Sequence, residues 1–584
     1  MTLALASRRS ALLPGRWVSN ELWRRARAVP SLDLRFAETK SLVDAVTGQQ
    51  LVTYSRASAG TYVGSDGLIK TATTNLLLRS EEFDNASWTK VAASITANAI
   101  AAPNGTITAY ALVEDNANSG HLVLQSFTAS NATTYTFSVY VQKLGRRYGA
   151  VVFSGAAVTV STIGIDLDSG SVFNISGIGN TAGVISRVGS TNWYRVSGSI
   201  TTTSAGALDC NVRPMNGTTW ADRNYQGDGT SGIYLWGAQL EQSSTVGEYI
   251  PTGATINSAP RFDHNPTTGE SLGLLVEEQR SNLVLNSATF QPTSLGNPAS
   301  YTVDQVAPNG TTTASRQTAA NPCTFLDYTG IANALYTFSV YVRVTSGTQS
   351  LSLQLKNAGS DTLIQSVSFT ATTTWQRISV SGTTAGATTG ARIEIVGPTV
   401  GAPAGTVFWG AQLEAGAFPT SYIPTTTAAV TRAADVASIS GSAFSGWYLS
   451  LGGTVYSDVS SLSASSGQRS LTFSDGSIAN QAWIRNGLPG TAALEVYTSS
   501  SFVANVATVI GAAKSAGVIG NNDFAASING GAVVVDTSGA IAAYTQINIG
   551  SNYNGSGSHL SGTIRRLVYW GQRLPNSTLQ AITQ

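Results

Sequence analysis

The chain has 584 residues, 33 of them basic and 32 acidic, which gives a formal net charge of +1. Charged residues make up 11% of the sequence, compared with ~25% in ordinary soluble proteins. This balance excludes a strongly basic nucleic-acid binder. No run of about 18 apolar residues is present, which excludes a membrane-spanning helix. The two cysteines, Cys210 and Cys323, exclude a disulfide framework, and we expect both to be free thiols.

Residues 1–30 concentrate positive charge. Their arginines are Arg8, Arg9, Arg16, Arg24, Arg25 and Arg27, set against the single acid Glu21. Residues 20–29 predict a short helix that ends before Pro30. The segment is interpreted either as a frayed basic tail or as an arm that docks onto an acidic partner. The docking interpretation predicts that residues 1–30 can be removed without unfolding the protein.

Four sequence blocks occur twice in the same order. The paired blocks are 75–80 and 282–287, 102–106 and 307–311, 135–141 and 336–342, and 236–241 and 409–414, with Tyr-Ile-Pro-Thr following at 249–252 and 422–425. Chance does not produce collinear matches of this kind. The chain is therefore predicted to contain two homologous domains, at 75–252 and 281–425.

The repeated blocks have the pattern of β-strands. Tyr135, Phe137 and Val139 alternate with Thr136 and Ser138, a period of two that is typical of a half-buried strand. Turn sequences separate the blocks, which predicts two antiparallel sheets packed as a sandwich, with a jelly roll as the expected form. The predicted fold class is all-β: tandem antiparallel sandwiches after a short, basic and partly helical N-terminal arm.

Residues 426–584 form a third predicted unit, a second type of sandwich. Asn529-Gly530 lies between two apolar stretches and predicts a tight hairpin, because both residue types accept a positive φ. Residues 576–582 predict a short terminal helix that is capped by the side chain of its first or second residue.

Several phrases in the chain are distinctive. They are 54–63 with the following Gly-Leu-Ile at 67–69, 259–264 continuing to 274–283, the two Trp-Gly-Ala-Gln-Leu-Glu blocks, and 526–531 with 562–567. The first two resemble a module of bacteriophage tail and fibre proteins. The Trp-Gly-Ala-Gln-Leu-Glu domains resemble carbohydrate-binding-module-like jelly rolls, and the last pair resembles concanavalin-A-like (laminin-G-like) lectin domains.

The resemblance implies a virion structural protein, located in a tail, neck or capsid-attached fibre. It implies a homotrimer that contacts other virion proteins through the N-terminal arm and binds glycans on the host surface. The sequence has no sustained heptads for a coiled-coil stalk, so a trimer would form through the β domains or the first 60 residues.

One departure from the resemblance concerns domain order. In that family the Gly-Leu-Ile phrase usually runs directly into Pro-Arg-Phe-Asp-His, whereas here the first repeat lies between them. Residues 31–74 and 253–280 are therefore predicted to form one small connecting module that jelly roll 1 (75–252) interrupts. The alternative is that they are serial linkers. Jelly roll 2 (281–425) and the lectin-like domain (426–584) follow.

Carboxylates and histidines give no catalytic constellation. The adjacent pair Glu277-Glu278 points to opposite faces of a strand and cannot flank a glycosidic bond together. Asp166 and Asp168 share a strand face and could bind calcium or act as a dyad, but the following Ser-Gly favours a hairpin turn. His264 is expected in a turn, bonded to its own backbone. We expect no enzymatic activity and no cofactor, with a polysaccharide depolymerase as a minor alternative.

Two functions compete for the sandwiches. A receptor-binding fibre would hold host glycans on an exposed aromatic platform with polar neighbours. A structural collar, neck or capsid fibre would use the same sandwiches as spacers without a ligand. An exposed cluster of Trp or Tyr on a sheet face or loop would distinguish the first function from the second.

The repeat separates shared residues from copy-specific ones. Trp193 and Trp375 occupy matching positions and are expected to serve the scaffold, as are Trp236 and Trp409. The first pair is followed two residues later by arginines that could stack on the tryptophans.

Only the first copy has an aromatic and polar stretch before its last repeated block. The predicted glycan-binding residues in this stretch are Trp220, Asp222, Arg223, Asn224 and Tyr225. Aromatic rings beside an acid, an arginine and an amide form the composition that a sugar site requires. The alternative is that Trp220 and Tyr225 pin a long loop onto its own sandwich.

Overall fold

The computed structural model describes residues 21–176, 183–291, 301–319, 324–329, 333–385, 390–397, 403–461, 467–485, 493–499, 501–507 and 513–584. The sheets are built from antiparallel strand pairs, which confirms the all-β prediction. The chain divides into two compact units, and the smaller consists of Arg56–Ala59 and Ala72–Ala259. No helix in the described part of the chain is long and apolar enough to cross a bilayer.

The N-terminal segment supplies short elements. They are α1 Glu21–Ala26, β1 Leu32–Leu34, α2 Phe36–Thr39, β2 Thr53–Ser55, β3 Thr61–Val63 and β4 Ile69–Thr71.

The first repeat forms a sandwich of two six-stranded sheets. Its elements are β5 Thr74–Asn75, β6 Thr89–Val91, β7 Ala93–Ile100, β8 Ala109–Glu114, β9 Asn118–Gly120, β10 Leu122–Ala129, β11 Thr134–Leu144, β12 Tyr148–Ser154, β13 Ser161–Asp166, β14 Ser171–Ser176, β15 Val184–Arg187, β16 Tyr194–Thr201, β17 Gly206–Met215, a 3₁₀ turn Trp220–Arg223, β18 Asn224–Gln226, β19 Gly232–Glu241 and β20 Asn257–Ser258. The sheet orders are β14-β13-β12-β17-β10-β6 and β15-β16-β11-β19-β8-β7.

The core of the first sandwich follows the predicted alternation. Phe137, Val139 and Val141 of β11 point into it and are buried. The opposite face of β11 is buried as well, which the alternation did not predict. Thr136 Oγ1 donates to the carbonyl of Ser243 at 2.8 Å, because the segment after β19 folds back over this strand.

The second repeat forms a smaller sandwich, preceded by three strands. The elements are β21 Arg261–His264, β22 Ser271–Val276, β23 Arg280–Asn282, a 3₁₀ turn Ser287–Thr289, β24 Tyr301–Gln305, β25 Ala314–Gln317, β26 Thr324–Thr329, β27 Leu335–Val344, β28 Gln349–Asn357, β29 Leu363–Ala371, β30 Gln376–Thr383, β31 Gly390–Val396 and β32 Thr406–Ala415. Its sheets have the orders β24-β25-β32-β27-β30 and β26-β31-β28-β29.

The C-terminal region forms a third sandwich. Its elements are β33 Val430–Arg432, β34 Val436–Ser440, α3 Gly441–Ser445, β35 Gly453–Ser461, β36 Arg469–Ser474, β37 Gln481–Arg485, β38 Ala493–Thr498, β39 Ser501–Ala507, β40 Ala513–Ile519, β41 Phe524–Ile528, β42 Val534–Asp536, β43 Gln546–Ile549, β44 Gly562–Trp570 and α4 Asn576–Thr583. One sheet has the order β21-β22-β44-β35-β40-β41-β42, with β1 also on β44, and the other has the order β2-β34-β43-β36-β37-β38-β39.

The end of the chain agrees with the sequence in its elements. β41 pairs with β42 as a hairpin, and Asn529 and Gly530 have positive φ of 47° and 73°, as predicted. The turn is not the tight one predicted, because residues 529–533 connect the two strands. The terminal helix is present, but the N-cap position belongs to Pro575 and no side chain caps it. The predicted cap by the first or second helical residue is therefore wrong, because both residues already lie inside the helix.

The predicted connecting module differs from the structure. β1 and β22 both pair with β44, and β2 pairs with β34, so these strands belong to the sheets of the C-terminal sandwich. The two phrases do lie side by side. The Val63 N–H donates to Asp263 Oδ1 at 2.7 Å, and His264 Nδ1 lies 3.0 Å from the Val63 carbonyl. His264 therefore ends a strand and contacts another segment, which corrects the prediction that it bonds to its own backbone.

A buried ion cluster connects the segments that build the third sandwich. We use this name for Arg261, Glu277, Arg432 and Asp435. Arg261 Nη2 lies 2.8 Å from Glu277 Oε2 and 2.5 Å from Asp435 Oδ2, and Arg432 Nη1 lies 3.0 Å from the same Glu277 oxygen. Tyr54 donates its hydroxyl to Asp435 at 2.5 Å. Each buried charge therefore has an opposite partner, without which burial would be strongly destabilising.

The cluster also includes the end of the second repeat. Ser421 donates its N–H and its hydroxyl to the two Glu277 oxygens, each at 2.6 Å. Burial alone would raise the pKa of Glu277, but Arg432 and Arg261 outweigh it, and the pKa lies below its ordinary value. Glu277 is therefore held as a carboxylate at the junction.

The helix α1 is part of the third sandwich. Leu22 and Ala26 pack with Trp570, Leu579 and Ile582 in one apolar cluster. The prediction that all of residues 1–30 can be removed without unfolding is thus corrected for the helical part, because its removal would expose this cluster.

The predicted docking arginines fall into two groups. Arg24, Arg25 and Arg27 lie on the exposed side of the α1 segment, and Arg25 pairs with Glu21 at 2.6 Å. The other three docking residues, Arg8, Arg9 and Arg16, lie outside the described residues.

Candidate functional site

The shared residues of the repeat form matching buried networks. Trp236 packs against Tyr249 and Tyr140 in the first copy, with ring centres 4.9 and 5.2 Å away. Trp409 packs against Tyr422 and Tyr341 in the second, at 4.5 and 5.6 Å. These aromatic groups are scaffold.

The arginines of the shared blocks stack on tyrosine. Arg195 and Arg377 lie 5.4 Å from the ring centres of Tyr140 and Tyr341, respectively. The prediction that they stack on Trp193 and Trp375 is wrong, because each arginine also donates to a serine on the strand that carries the tyrosine.

The first sandwich has an apolar outer face on the sheet that contains β12 and β17. Ala150, Val152 and Met215 alternate with the core residues of these strands and point outward, yet they are buried. Trp220 is half-buried and packs against them, as does Tyr148. A loop aromatic ring therefore covers part of this face.

Two guanidinium groups contact the Trp220 ring. The Arg223 guanidinium carbon lies 4.2 Å from the ring centre, and that of Arg213 lies 5.5 Å from it. Both distances fall within the range of cation–π contacts. Arg223 Nη1 also donates to the Trp220 carbonyl at 2.6 Å, which fixes the turn. We call Trp220, Arg213, Arg223 and the neighbouring Asn211 the Trp220 cluster.

Arg213 is unusual for its burial. Its side chain is 8% exposed, and its Nε and Nη2 donate to Asn211 Oδ1 at 3.2 and 3.0 Å. Burial, followed by repulsion from Arg223, lowers the pKa of Arg213 to about 10. No carboxylate lies within 4 Å of either guanidinium among the described residues.

The predicted glycan-binding residues separate in the structure. Trp220 and Arg223 belong to the cluster, and Asn224 is exposed beside it at the start of β18. Asp222 does not face a ligand, because its carboxylate accepts from the N–H and the hydroxyl of Thr219, at 2.8 and 2.6 Å.

Tyr225 requires a correction. It is 7% exposed, its hydroxyl donates to Glu114 at 2.7 Å, and the Arg146 guanidinium carbon lies 4.7 Å from its ring centre. The pairing of β18 with β9 turns this ring inward. Tyr225 therefore anchors the loop, as the alternative interpretation predicted for it.

Arg213 and Asn211 were not predicted as site residues. They lie in β17, before the loop, and alternate with the core residues Cys210 and Val212. The sequence did contain one signal for this site, because Arg213 is a charged residue in a strand whose alternate positions are apolar core residues. The sequence could not show that the Trp220 loop returns over this strand.

The corresponding face of the second sandwich is different. Its central strands β28 and β31 follow the repeated blocks as β12 and β17 do, and the charged side chains on their outer side are ion-paired. Arg392 lies 2.7 Å from Asp327 and 3.1 Å from Asp361, and Lys356 pairs with Glu394. This face has satisfied charges, whereas the first copy has an aromatic ring and two arginines without a carboxylate partner in the described part of the chain.

The third sandwich has an aromatic stack on its outer face. Trp483 and Tyr497 are nearly parallel, with ring centres 5.1 Å apart, and the Arg469 guanidinium carbon lies 3.8 Å from the Trp483 ring centre. Trp483 is only 6% exposed, so this ring has no free face. In all the residues that the structure describes, no tryptophan, tyrosine or phenylalanine side chain is largely exposed. The open aromatic platform predicted from the sequence is therefore not observed in this part of the chain.

The acidic candidates are structural. Asp166 pairs with Arg147 at 2.7 Å and accepts the N–H of Asp168 at 3.0 Å, within the turn between β13 and β14. The hydrogen bond from Arg147 holds the pKa of Asp166 well below its ordinary value. The described part of the chain has no group of three or more His, Cys, Asp or Glu side chains that could hold a metal ion.

Cys210 is a buried free thiol, as predicted. Cys323 lies outside the described residues.

A cleft of about 390 Å³ lies beside the N-terminal segment in the larger unit. Its lining comprises Trp23, Arg35, Thr39, Ser41, Val43, Asp44, Ala45 and Gly48. Arg35 donates to Asp33 at 2.8 Å, and Asp44 accepts the N–H and hydroxyl of Thr47 at 2.9 and 2.7 Å. Because these charged groups are engaged within the protein, the cleft is a weaker candidate than the Trp220 cluster.

No family model and no curated protein sequence matches the chain. Solved structures similar to it include carbohydrate-binding modules. The tandem CBM22 domains of Paenibacillus barcinonensis Xyn10C are 14% identical over 59% of this chain and 98% of that chain, with a TM-score of 0.19. The CBM40 of the Ruminococcus gnavus IT-sialidase, bound to α2,3-sialyllactose, is 15% identical over 23% of this chain and 82% of that one, with a TM-score of 0.21.

The tandem CBM51 modules of Sp3GH98 from Streptococcus pneumoniae are 11% identical over 62% of this chain and 93% of that chain, with a TM-score of 0.16. TM-scores this low do not establish a shared fold.

Proposed function

We propose that this chain is a bacteriophage virion appendage, in a tail, neck or capsid-attached fibre, that binds host-surface glycans through the Trp220 cluster. The observation that carries the proposal is the asymmetry of the repeat. Within the described residues the two copies share their buried networks, but only the first places a half-buried tryptophan in contact with two arginines on its outer face. A difference confined to the surface of one copy suits a function that the scaffold does not require.

The chemistry of the cluster suits a saccharide. The apolar face of a pyranose ring packs on an aromatic ring, and its hydroxyls need donors and acceptors at the edge. Trp220 supplies the ring, the guanidinium groups supply donors, and exposed Asn224 supplies both a donor and an acceptor. These groups lie on one loop and the strand beneath it.

The spacer function is proposed for the second sandwich. Its ion-paired outer face presents charges that are already satisfied, so it has little to gain from a ligand. The homotrimer and the attachment of the basic N-terminal segment to other virion proteins are further parts of the proposal, and they depend on the sequence resemblance and the exposed arginines.

The test is binding of the full chain to a printed glycan array. We expect Trp220→Ala to reduce binding of every recognised glycan at least tenfold, while the melting temperature changes by about 2 °C or less, because the ring is only half-buried. Trp375→Ala is the matched control, since Trp375 is also half-buried with a stacked arginine, Arg343 at 5.1 Å.

We expect Trp375→Ala to retain full binding. Equal glycan binding by the wild type and Trp220→Ala would contradict the proposal. An equal loss of binding in Trp220→Ala and Trp375→Ala would also contradict it.

A further inference from the structure

The Trp220 cluster contains a charge imbalance that a neutral saccharide would not require. Arg146 and Arg147, in the same sandwich, have carboxylate partners at 2.5 and 2.7 Å. Arg213 and Arg223 have none within 4 Å in the described part of the chain. The nearest acid in sequence, Asp222, is engaged by Thr219.

The imbalance matters most at Arg213, since more than nine-tenths of its surface is buried. A buried cation without an opposite charge is destabilising, and proteins generally pair such groups or neutralise them. Among the described residues, Arg213 donates only to the neutral Asn211 Oδ1, through Nε and Nη2, and its Nη1 makes no hydrogen bond. The like charge of Arg223 increases the cost.

A bound anion would remove this cost. A carboxylate suits it because guanidinium groups bind carboxylates through paired, charge-assisted hydrogen bonds. The half-buried Trp220 ring beside the two arginines suits the face of a sugar ring. An aromatic ring in contact with guanidinium groups that have no carboxylate partner among the described residues therefore combines the two requirements of an acidic sugar.

We propose that the ligand of the Trp220 cluster is an acidic saccharide, whose sugar ring packs on Trp220 while its carboxylate binds Arg213 and Arg223. This inference rests on the proposed function and adds the class of glycan. It assigns Arg213 as the residue that selects for charge, since its burial makes the unpaired state costly.

The experiment uses an array of uronic-acid oligosaccharides, each printed beside its carboxyl-reduced form, with sulfated neutral oligosaccharides as a third series. We expect the full chain to bind acidic glycans at least tenfold more tightly than their reduced forms, and the preference to weaken as salt concentration rises.

Arg213→Gln and Arg223→Gln should each reduce binding to the acidic series at least tenfold, and by a clearly larger factor than they reduce binding to the carboxyl-reduced series. Arg223→Gln keeps the test valid if the buried Arg213 variant fails to fold. Arg187→Gln is the control, because Arg187 is exposed in the same sandwich and donates to the Thr191 carbonyl.

The outcomes separate the two proposals. The chain could bind acidic and carboxyl-reduced glycans equally, and lose both in Trp220→Ala. This result would overturn the proposal of an acidic ligand and leave the glycan-binding function intact. Binding to the sulfated series alone would overturn the assignment of a carboxylate. Binding that Trp220→Ala leaves unchanged would overturn the site and the proposed function together.

Discussion

Asp263 is a half-buried acid that contacts the backbone of β3. Its carboxylate accepts the Val63 N–H at 2.7 Å. Burial, with a further contribution from Glu277, raises its pKa to about 6, although the Val63 N–H and Arg261 act in the opposite direction. The folded protein therefore binds this proton more tightly than the unfolded chain does.

The sign of the pH effect follows from that difference. Between the unfolded pKa near 3.8 and the folded pKa of about 6, the folded state holds more protons, so this group's contribution to stability falls as pH rises. We expect Asp263→Asn, which can still accept from Val63, to be about 1–2 kcal/mol more stable than wild type at pH 7.

The measurement is thermal unfolding of both proteins from pH 4 to pH 7. The advantage of Asp263→Asn should be near zero at pH 4 and should grow through pH 6. A difference that is independent of pH, or that favours wild type at pH 7, would show that Asp263 is stabilised as a carboxylate.

Single residues also show where sequence reasoning succeeds and fails. The repeat correctly marked Trp236 and Trp409 as scaffold, because two copies provide an internal comparison. Within the copy-specific stretch, the sequence could not distinguish Trp220 from Tyr225. One ring stays at the surface and the other turns inward, and the pairing of β18 with β9 decides which.

Among the elements, α1 departs most clearly from its predicted role. Its buried residues Leu22, Trp23 and Ala26 face the third sandwich, and Trp23 donates to Asp33 at 2.9 Å. Its arginines point outward. One short helix therefore combines an apolar anchor with a basic outer surface, and residue composition alone revealed only the second.

These two properties can be separated by mutation. We expect Trp23→Ala to destabilise the protein by about 3–5 kcal/mol, as is typical of a fully buried large aromatic residue. The double variant Arg24→Gln and Arg27→Gln should keep the wild-type melting temperature but reduce incorporation of the protein into virions, if the basic surface docks.

Calorimetric unfolding and quantification of the protein in purified virions test both expectations. A stable Trp23→Ala variant would contradict the anchoring role. Normal incorporation of the arginine double variant would contradict the docking role.

For the whole chain, the unpredicted feature is the assembly of the third sandwich from distant segments. The two segments of the predicted connecting module, 31–74 and 253–280, contribute β1, β2, β21 and β22, together with Arg261 and Glu277 of the buried ion cluster. The alternation of apolar residues predicted strands and sandwiches correctly. It could not identify these strand partners, because local patterns do not encode which distant edge a strand joins.

In the proposed function, glycans bind to the first sandwich at the Trp220 cluster. Hydrogen–deuterium exchange of the full chain tests it most directly, with and without a saturating oligosaccharide chosen from the array. We predict slower exchange in residues 211–226, which span the end of β17, the 3₁₀ turn and β18, and unchanged exchange in β28 and β31 of the second sandwich. Protection confined to the second or third sandwich, with none in 211–226, would contradict the claim.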